Sequence, residues 1–290
     1  MSKLLRYLLV VPLLTTAASA TAAVTAIGNQ VNGLAAYSQT SSTGASLSHD
    51  AIAPIPYTNR AYSQASLGSL GAYGIALGAG PAFFEMHAYA NALWQDSFTI
   101  AAPGSTQLAR FSFALNATGL MTTWWTSEIP FSQSRSVYTF RWQIDASPPQ
   151  GVTGPLLTSQ GGRSYTVFGT PGSPHLAEDL SETTSNFADF YVGGKMTVTM
   201  RLDIEAHASD SGNRHTFFVG AASDFEHTIN WGGITSITDA NGVPLTGVSI
   251  AAASGVDYSR PIPEPQAALL LAATISMNLA ARRNRRNNVA

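Results

Sequence analysis

The sequence predicts an all-β protein, an antiparallel β-sandwich of jelly-roll-like form. Two observations favour this class: apolar and polar residues alternate with period two in several stretches, and glycine- and proline-containing turns separate those stretches. A third observation is that no convincing amphipathic helix lies between them. Because parallel strands need long crossover connections, the short turns favour antiparallel pairing.

The clearest predicted strand runs from Lys195 to His207. Its apolar residues fall on one face, namely Met196, Val198, Met200, Leu202, Ile204 and Ala206. The residues between them are mostly polar and fall on the other face. This alternation predicts a long strand with one side in the core. A polar loop at 209–213 then leads to 216–219, which is the predicted hairpin partner.

Two other segments, 136–146 and 108–116, repeat the alternation. Their predicted inward residues are Tyr138, Phe140, Trp142 and Ile144 in the first, and Phe111, Phe113 and Leu115 in the second. Shorter strands are predicted at 83–90, 93–100, 163–168, 187–192, 227–229, 233–238 and 248–251. Segment 150–188 is predicted to be a long excursion with one strand and a short helix near Ala177–Leu180. Segment 24–56 is predicted to be an edge strand or an N-terminal arm.

The N-terminus, residues 1–22, has the pattern of a secretory signal peptide. Lys3 and Arg6 precede an apolar stretch, and Ala18 and Ala20 frame a cleavage site of the A-x-A type. We therefore expect export through the Sec translocon and cleavage by signal peptidase. The chain has no cysteine, which excludes lipoprotein attachment, disulfides and thiolate metal sites.

The C-terminus, residues 259–290, holds three blocks in a fixed order. They are the tripeptide Pro263, Glu264 and Pro265, an apolar run at 266–281, and the arginines Arg282, Arg283, Arg285 and Arg286. The run suits a short transmembrane helix, although a spanning helix usually needs roughly 17–25 apolar residues. Flanking arginines hold their end of such a helix in the cytoplasm.

This order resembles the PEP-CTERM sorting signal of Gram-negative bacteria, with Pro263–Pro265 as the name-giving tripeptide. The resemblance implies that exosortase, a membrane protease-transpeptidase, recognises and removes the segment. It also implies a transient inner-membrane anchor, followed by release to the cell surface or the extracellular space. Segments 91–100 and 224–245 are similar to parts of other β-sandwich bodies of this group, which places the body at 23–258. A structural role in a biofilm or exopolysaccharide matrix is implied by the resemblance alone.

The charge balance limits the partners of the body. The whole chain has a net charge of −2, but Lys3, Arg6 and the four C-terminal arginines belong to the two ends. Without them and Glu264, nine basic and 16 acidic residues remain, a net charge of −7. An acidic body with Lys195 as its only lysine argues against nucleic acid or anionic lipid as a partner.

Asp203, Glu205 and His207 are the candidate metal ligands, because they share the polar face of the clearest strand. Further ligands from a loop or a facing strand would be needed, with His215 as one possibility. The alternative is a solvated polar face, in which Arg201 pairs with Asp203 or with a cross-strand acid. Asp203 and Glu205 also meet the spacing of a glycoside hydrolase pair, as do two acids on any strand face.

Trp124 and Trp125 are the candidate ligand-binding residues, because adjacent residues of a strand point to opposite faces and one ring is left outside the core. An exposed tryptophan in a secreted β-protein suits stacking on a sugar ring, although edge packing is the commoner role. The sequence has no nucleophile elbow, H-E-x-x-H or Walker motif. We therefore expect a protein that is not an enzyme and needs no cofactor, with a carbohydrate-binding module and a secreted hydrolase as alternatives.

Overall fold

The protein folds as two antiparallel sheets packed face to face. The computed structural model describes residues 23–31, 37–52, 58–80, 84–104, 107–125, 133–169, 175–210 and 217–262 of the 290-residue chain. Both the predicted signal peptide and the predicted apolar tail lie outside these residues. Within the described part of the chain, no helix has the length and apolar character that a membrane span requires.

Sheet A has the strand order β2-β1-β6-β11-β8-β9, and β13 pairs with the end of β6. Its strands are β1 (Val24–Val31), β2 (Tyr37–Ser41), β6 (Phe84–Ala101), β8 (Gln133–Ala146), β9 (Leu157–Phe168), β11 (Lys195–Asp210) and β13 (Ser249–Ala252). Sheet B has the order β10-β7-β12-β5-β4-β3. Its strands are β3 (Leu47–Ile52), β4 (Thr58–Ser66), β5 (Ser69–Gly80), β7 (Leu108–Trp125), β10 (His175–Tyr191) and β12 (Phe217–Asp239). The all-β class and the antiparallel pairing are confirmed.

The core lies between the inner faces of the two sheets, and β11 shows how the sequence places it there. All six apolar residues predicted to face inward from this strand are buried. The predicted inward residues of β8 and β7, among them Trp142 and Phe113, are buried as well. Full burial of one large apolar side chain contributes about 1.5–3 kcal/mol. The period-two pattern therefore identified the strands that carry much of the core.

Several expectations about element type, strand partners and strand lengths were wrong. The strands predicted at 83–90 and 93–100 are a single strand, β6. Residues 177–180 form part of β10 instead of a helix, because β10 pairs with β7 from His175 to Tyr191. The predicted hairpin between 195–207 and 216–219 does not form, since β11 lies in sheet A and β12 in sheet B. The separate strands predicted at 227–229 and 233–238 are parts of one long strand, β12, whose pairing with β7 shifts register between Asp224 and Ser236.

The N-terminal part of the body is more regular than predicted. Segment 24–56 contains β1, β2 and β3, with β2 and β3 at the edges of the two sheets. Strand β1 is interior, since it pairs with both β2 and β6. Its Ile27 and Val31 are buried in the core.

After β13 the chain returns to the core as residues 253–262, called here the C-terminal segment. Tyr258 of this segment is fully buried, and its ring stacks on Trp94 with ring centroids 5.9 Å apart. The backbone oxygen of Tyr258 accepts hydrogen bonds from Trp231 Nε1 at 2.9 Å and from the Ile234 amide at 3.1 Å. The Ile262 amide donates to the backbone oxygen of Trp231 at 2.9 Å. The segment is therefore part of the folded body up to Ile262.

Two glycines make room for the C-terminal segment. Gly233 has φ of +93°, and a Cβ atom there would lie 2.9 Å from the carbonyl carbon of Arg260. Gly68 has φ of +80°, and a Cβ atom there would lie 2.1 Å from Ile262 Cδ1. Residues with a side chain are disfavoured at positive φ, so the backbone conformation and the close neighbours both favour glycine at these two positions.

Candidate functional site

The polar face of sheet A forms where β6, β11 and β8 run side by side. Successive residues of a strand point to opposite faces, so Asp203, Glu205 and His207 lie together on the side of β11 that faces away from the core. The register places His207 between His87 of β6 and Arg135 of β8. The residues singled out from the sequence thus meet groups from two neighbouring strands, and these groups decide what each one can do.

Asp203 is engaged by Arg201 and Tyr89. Arg201 donates from Nε and Nη2 to the carboxylate, with distances of 2.7 Å to 3.0 Å. The Tyr89 hydroxyl donates to the same carboxylate at 2.7 Å. Burial, followed by the charge of Asp203, raises the pKa of Tyr89 to about 12. The pairing of Arg201 with Asp203 that the sequence suggested is present.

Glu205 forms an ion pair with Arg135 of β8. Both carboxylates of the proposed hydrolase pair therefore have an arginine partner. Glycoside hydrolysis uses a carboxyl group that is free to donate a proton to the substrate, whereas arginines engage both of these carboxylates. The arrangement of Asp203 and Glu205 resembles a charge-paired sheet face more than an acid–base pair.

His207 shares a face of β11 with the other two predicted ligands, but its ligand atom clusters with those of Glu85 and His87. The His87 and His207 ring centroids are 4.3 Å apart, and Glu85 Oε1 lies 3.0 Å from His87 Nε2 and 3.8 Å from His207 Nε2. Burial, with the nearby His87 and the charge of Arg135, lowers the pKa of His207 to about 4. The hydrogen bond with His87 lowers the pKa of Glu85. The metal set Asp203, Glu205 and His207 stays a prediction, and the geometry brings only His207 into a cluster of ligand atoms.

The two predicted tryptophans lie at the end of β7. Trp124 is half-buried, and a Cβ atom at Gly220 of β12 would lie 3.0 Å from its ring, so the ring packs close over that glycine. The side chain of Trp125 lies outside the described part of the structure. Their role as ligand-binding residues stays a prediction, and so do the predicted sorting and cleavage residues at the two ends.

Two of the openings in the described part of the structure are small and lie at its surface. One, of about 140 Å³, lies beside β3 and β4 and is lined by residues such as Ser48, Tyr62 and Gln64. The other, of about 120 Å³, is lined by residues of β7, β8, β9, β10 and β12. Small-molecule sites usually measure about 300–1,000 Å³. Neither opening is lined by Asp203, Glu205 or Trp124.

A buried carboxyl group was missed by the sequence reading. Asp96 occupies an inward position of β6 between Trp94 and Phe98 and is only 1% exposed. Its oxygens accept hydrogen bonds from the Ser97 amide at 2.7 Å, from the Tyr258 hydroxyl at 2.8 Å and from the Ser254 hydroxyl. The sequence did contain a signal, because Asp96 occupies the same alternating positions as the apolar residues Trp94 and Phe98. Asp96 therefore fastens the C-terminal segment to the core.

Burial of Tyr89, Tyr138 and Tyr258 predicts alkaline unfolding. Burial raises the pKa of each phenol, that of Tyr89 to about 12. Because the folded-state pKa values are raised, the stabilisation is complete below the unfolded value near pH 10 and is lost as the pH rises further. In that window the free energy of unfolding falls by about 1.4 kcal/mol per pH unit for each such phenol. The three together give a slope of about 4 kcal/mol per pH unit.

The measurement is urea unfolding at a series of alkaline pH values, with phenolate absorbance followed in parallel. Tyr89→Phe should reduce the slope of stability against pH by about one third, because one of three titrating phenols is removed. A stability that stays constant between about pH 10 and pH 11 would contradict the prediction.

The function of the site is inferred from these contacts alone, because the comparisons with known proteins found no match. No protein-family model matches the chain. No curated protein shows significant similarity to it.

Proposed function

We propose that this chain is an exported, non-enzymatic protein of the cell surface or extracellular matrix, sorted through a PEP-CTERM signal. In this proposal a jelly-roll-like sandwich is delivered by the Sec translocon, loses its signal peptide, and is held at the inner membrane by its C-terminal helix. Exosortase then removes the helix, and the body joins a biofilm or exopolysaccharide matrix.

The observation that carries the proposal is the position of the sorting motif relative to the folded body. The last described hydrogen bond of the C-terminal segment is made by Ile262, and Pro263 is the next residue in the chain. Cleavage at the motif keeps Ile262 and Tyr258, with their hydrogen bonds and ring contacts, in the processed body, as a detachable sorting signal requires.

The start of the body fits the predicted cleavage in the same way. Ala23 is buried, with 3% of its surface exposed, and β1 begins at Val24. The predicted signal peptide ends at residue 22 and its cleavage site is framed by Ala18 and Ala20. Cleavage there leaves the first strand intact.

The charge pairing supports a structural role over hydrolysis. Besides the pairs of Asp203 and Glu205, Arg110 pairs with Asp189 at 2.7 Å and Arg163 with Glu182 at 2.7 Å. These four arginine pairs engage carboxylates on β10 and β11. Such surface pairs add little stability each, on the order of 0–1 kcal/mol, and they leave the paired carboxylates engaged rather than free for chemistry.

Carbohydrate binding is a second candidate, favoured by the opening between β9 and β10. Tyr138, Phe140 and Trp142 line it together with Arg163 and Glu182. These three aromatic side chains are at most 8% exposed, so polar groups such as Arg163, Glu182 and Asn186 supply the contacts that would suit sugar hydroxyls. Its volume of about 120 Å³ suits the edge of one sugar unit at most. Titration with exopolysaccharide from the host is the test, and Arg163→Ala, which removes a lining charge, should abolish any binding.

Sorting is tested by intact-mass analysis of the protein from its own host, with membrane and culture-medium fractions compared. We expect a product that starts near Thr21 or Ala23 and lacks everything beyond the 263–265 region. Glu264→Ala should keep the full-length tail in the membrane fraction. Glu178→Ala, a change at an exposed residue of β10, is the control and should be processed normally. A full-length tail in the wild-type protein, found only in the membrane fraction, would overturn the proposal.

A further inference from the structure

The cluster of Glu85, His87 and His207 has no part in the proposed sorting or matrix role. Strands β6 and β11 are neighbours, and their register sets His87 directly opposite His207. Glu85 lies two residues before His87 and therefore projects from the same face of β6. One ligand atom from each of the three side chains falls within 4.8 Å of the other two.

We propose that Glu85, His87 and His207 bind one first-row transition-metal ion of the Zn²⁺ type, with a fourth position open to water or an external ligand. Zn²⁺ binds imidazole nitrogen and carboxylate oxygen at about 2.0–2.2 Å. Ligand atoms around one ion are therefore separated by roughly 3–4 Å. The distances from Glu85 Oε1 to the two imidazole Nε2 atoms, 3.0 Å and 3.8 Å, already lie in that range.

The donor set determines which metal fits. Two imidazoles and one carboxylate are ligands for Zn²⁺ and its transition-metal neighbours, whereas Ca²⁺ and Mg²⁺ prefer all-oxygen sites. An imidazole binds a metal ion through a ring nitrogen that carries no proton. Three protein ligands and one exchangeable position are typical of open zinc sites rather than closed structural ones.

The exposure of two ligands allows an ion to reach the site, and the nearby positive charge of Arg135 limits the affinity for that ion. The side chains of Glu85 and His87 are 58% and 43% exposed, while that of His207 is 12% exposed. His207 thus provides a fixed inner ligand, and the other two can close over the ion from the solvent side. Arg135 of β8 is the positive charge that faces the cluster, and its ion pair with Glu205 offsets its repulsion of a cation.

The test is titration of the purified full-length chain, in detergent and free of chelators, with Zn²⁺ alone by calorimetry. One ion per chain is expected, with no comparable binding of Mg²⁺ or Ca²⁺. Glu85→Gln, His87→Gln and His207→Gln should each weaken binding by roughly tenfold or more, since ligand and supporting contacts at metal sites have effects of this size. The control is His49→Gln, which removes a histidine from β3, in sheet B.

Co²⁺ gives a second readout, because its visible absorption reports the ligands around the ion. The spectrum should change in His87→Gln, whose altered side chain is partly exposed and leaves the fold intact. Unchanged Zn²⁺ binding in both His87→Gln and Glu85→Gln would overturn the site. Equal loss in His49→Gln, or no Zn²⁺ binding by the wild-type chain, would overturn it too. None of these outcomes depends on whether the tail is processed, so they separate this site from the proposed sorting role.

Discussion

Asp96→Ala is expected to lower the free energy of unfolding by about 3–5 kcal/mol and to release the C-terminal segment. The change leaves the buried Tyr258 hydroxyl, the Ser97 amide and the Ser254 hydroxyl without their acceptor. Each buried donor left unpaired costs about 1–3 kcal/mol. Asp96→Asn keeps one acceptor oxygen and should cost less.

Two measurements check this expectation. Urea unfolding gives the loss of stability, and limited chymotrypsin digestion reports release, because Tyr258 is fully buried in the folded protein and becomes a cleavage site once the segment detaches. Asp189→Ala is the matched control, since it removes a carboxylate from a partly exposed ion pair and should cost at most about 1 kcal/mol. If Asp96→Ala costs no more than this control and Tyr258 stays protected, Asp96 does not fasten the segment.

Trp231→Ala is expected to cost about 3–5 kcal/mol, the usual range for truncating a buried tryptophan. The Trp231 ring is fully buried, and it stacks on Phe113 with ring centroids 4.9 Å apart and meets Tyr258 edge-on at 5.6 Å. The same change removes the indole hydrogen bond to the Tyr258 backbone oxygen. That oxygen keeps the Ile234 amide as a partner, so most of the cost comes from the cavity.

The loss is measured by urea unfolding beside two companion variants. Trp231→Phe keeps a ring that can stack on Phe113 and should recover a large part of the stability. Phe187→Ala removes an aromatic ring that is 56% exposed and should stay within about 1 kcal/mol of the wild type. A Trp231→Ala protein as stable as Phe187→Ala would contradict the packing described here.

The sequence predicted those parts of the fold in which one strand face is apolar and the other polar. Strand β11 met this condition and was identified with its inward residues. Strand β10 did not, because it is an edge strand whose residues are mostly exposed or half-buried, and its acids and serines read as a loop or helix. Its extended form follows from pairing with β7, which is information from a distant part of the chain.

The candidate site was predictable only in part, for a related reason. His207 was found because it shares a face with Asp203 and Glu205. Its actual neighbours, His87 and Glu85, are more than 100 residues earlier in the chain, and only the register of β6 against β11 brings them together. Asp96 was missed because a carboxyl group inside a core has meaning only once its partners in the C-terminal segment are known.

In the proposed sorting route, the anchoring of Ile262 limits the distance between the sandwich and the membrane before processing. The apolar run begins at Gln266, four residues after Ile262. A fully extended chain advances about 3.5 Å per residue, so this link spans at most about 14 Å. While the proposed tail is in the bilayer, the sandwich is tethered too tightly to rotate freely or to reach far above the lipid headgroups. In this proposal, an enzyme that acts on Pro263–Pro265 works in the narrow gap between the two, and its cleavage would free the body to diffuse.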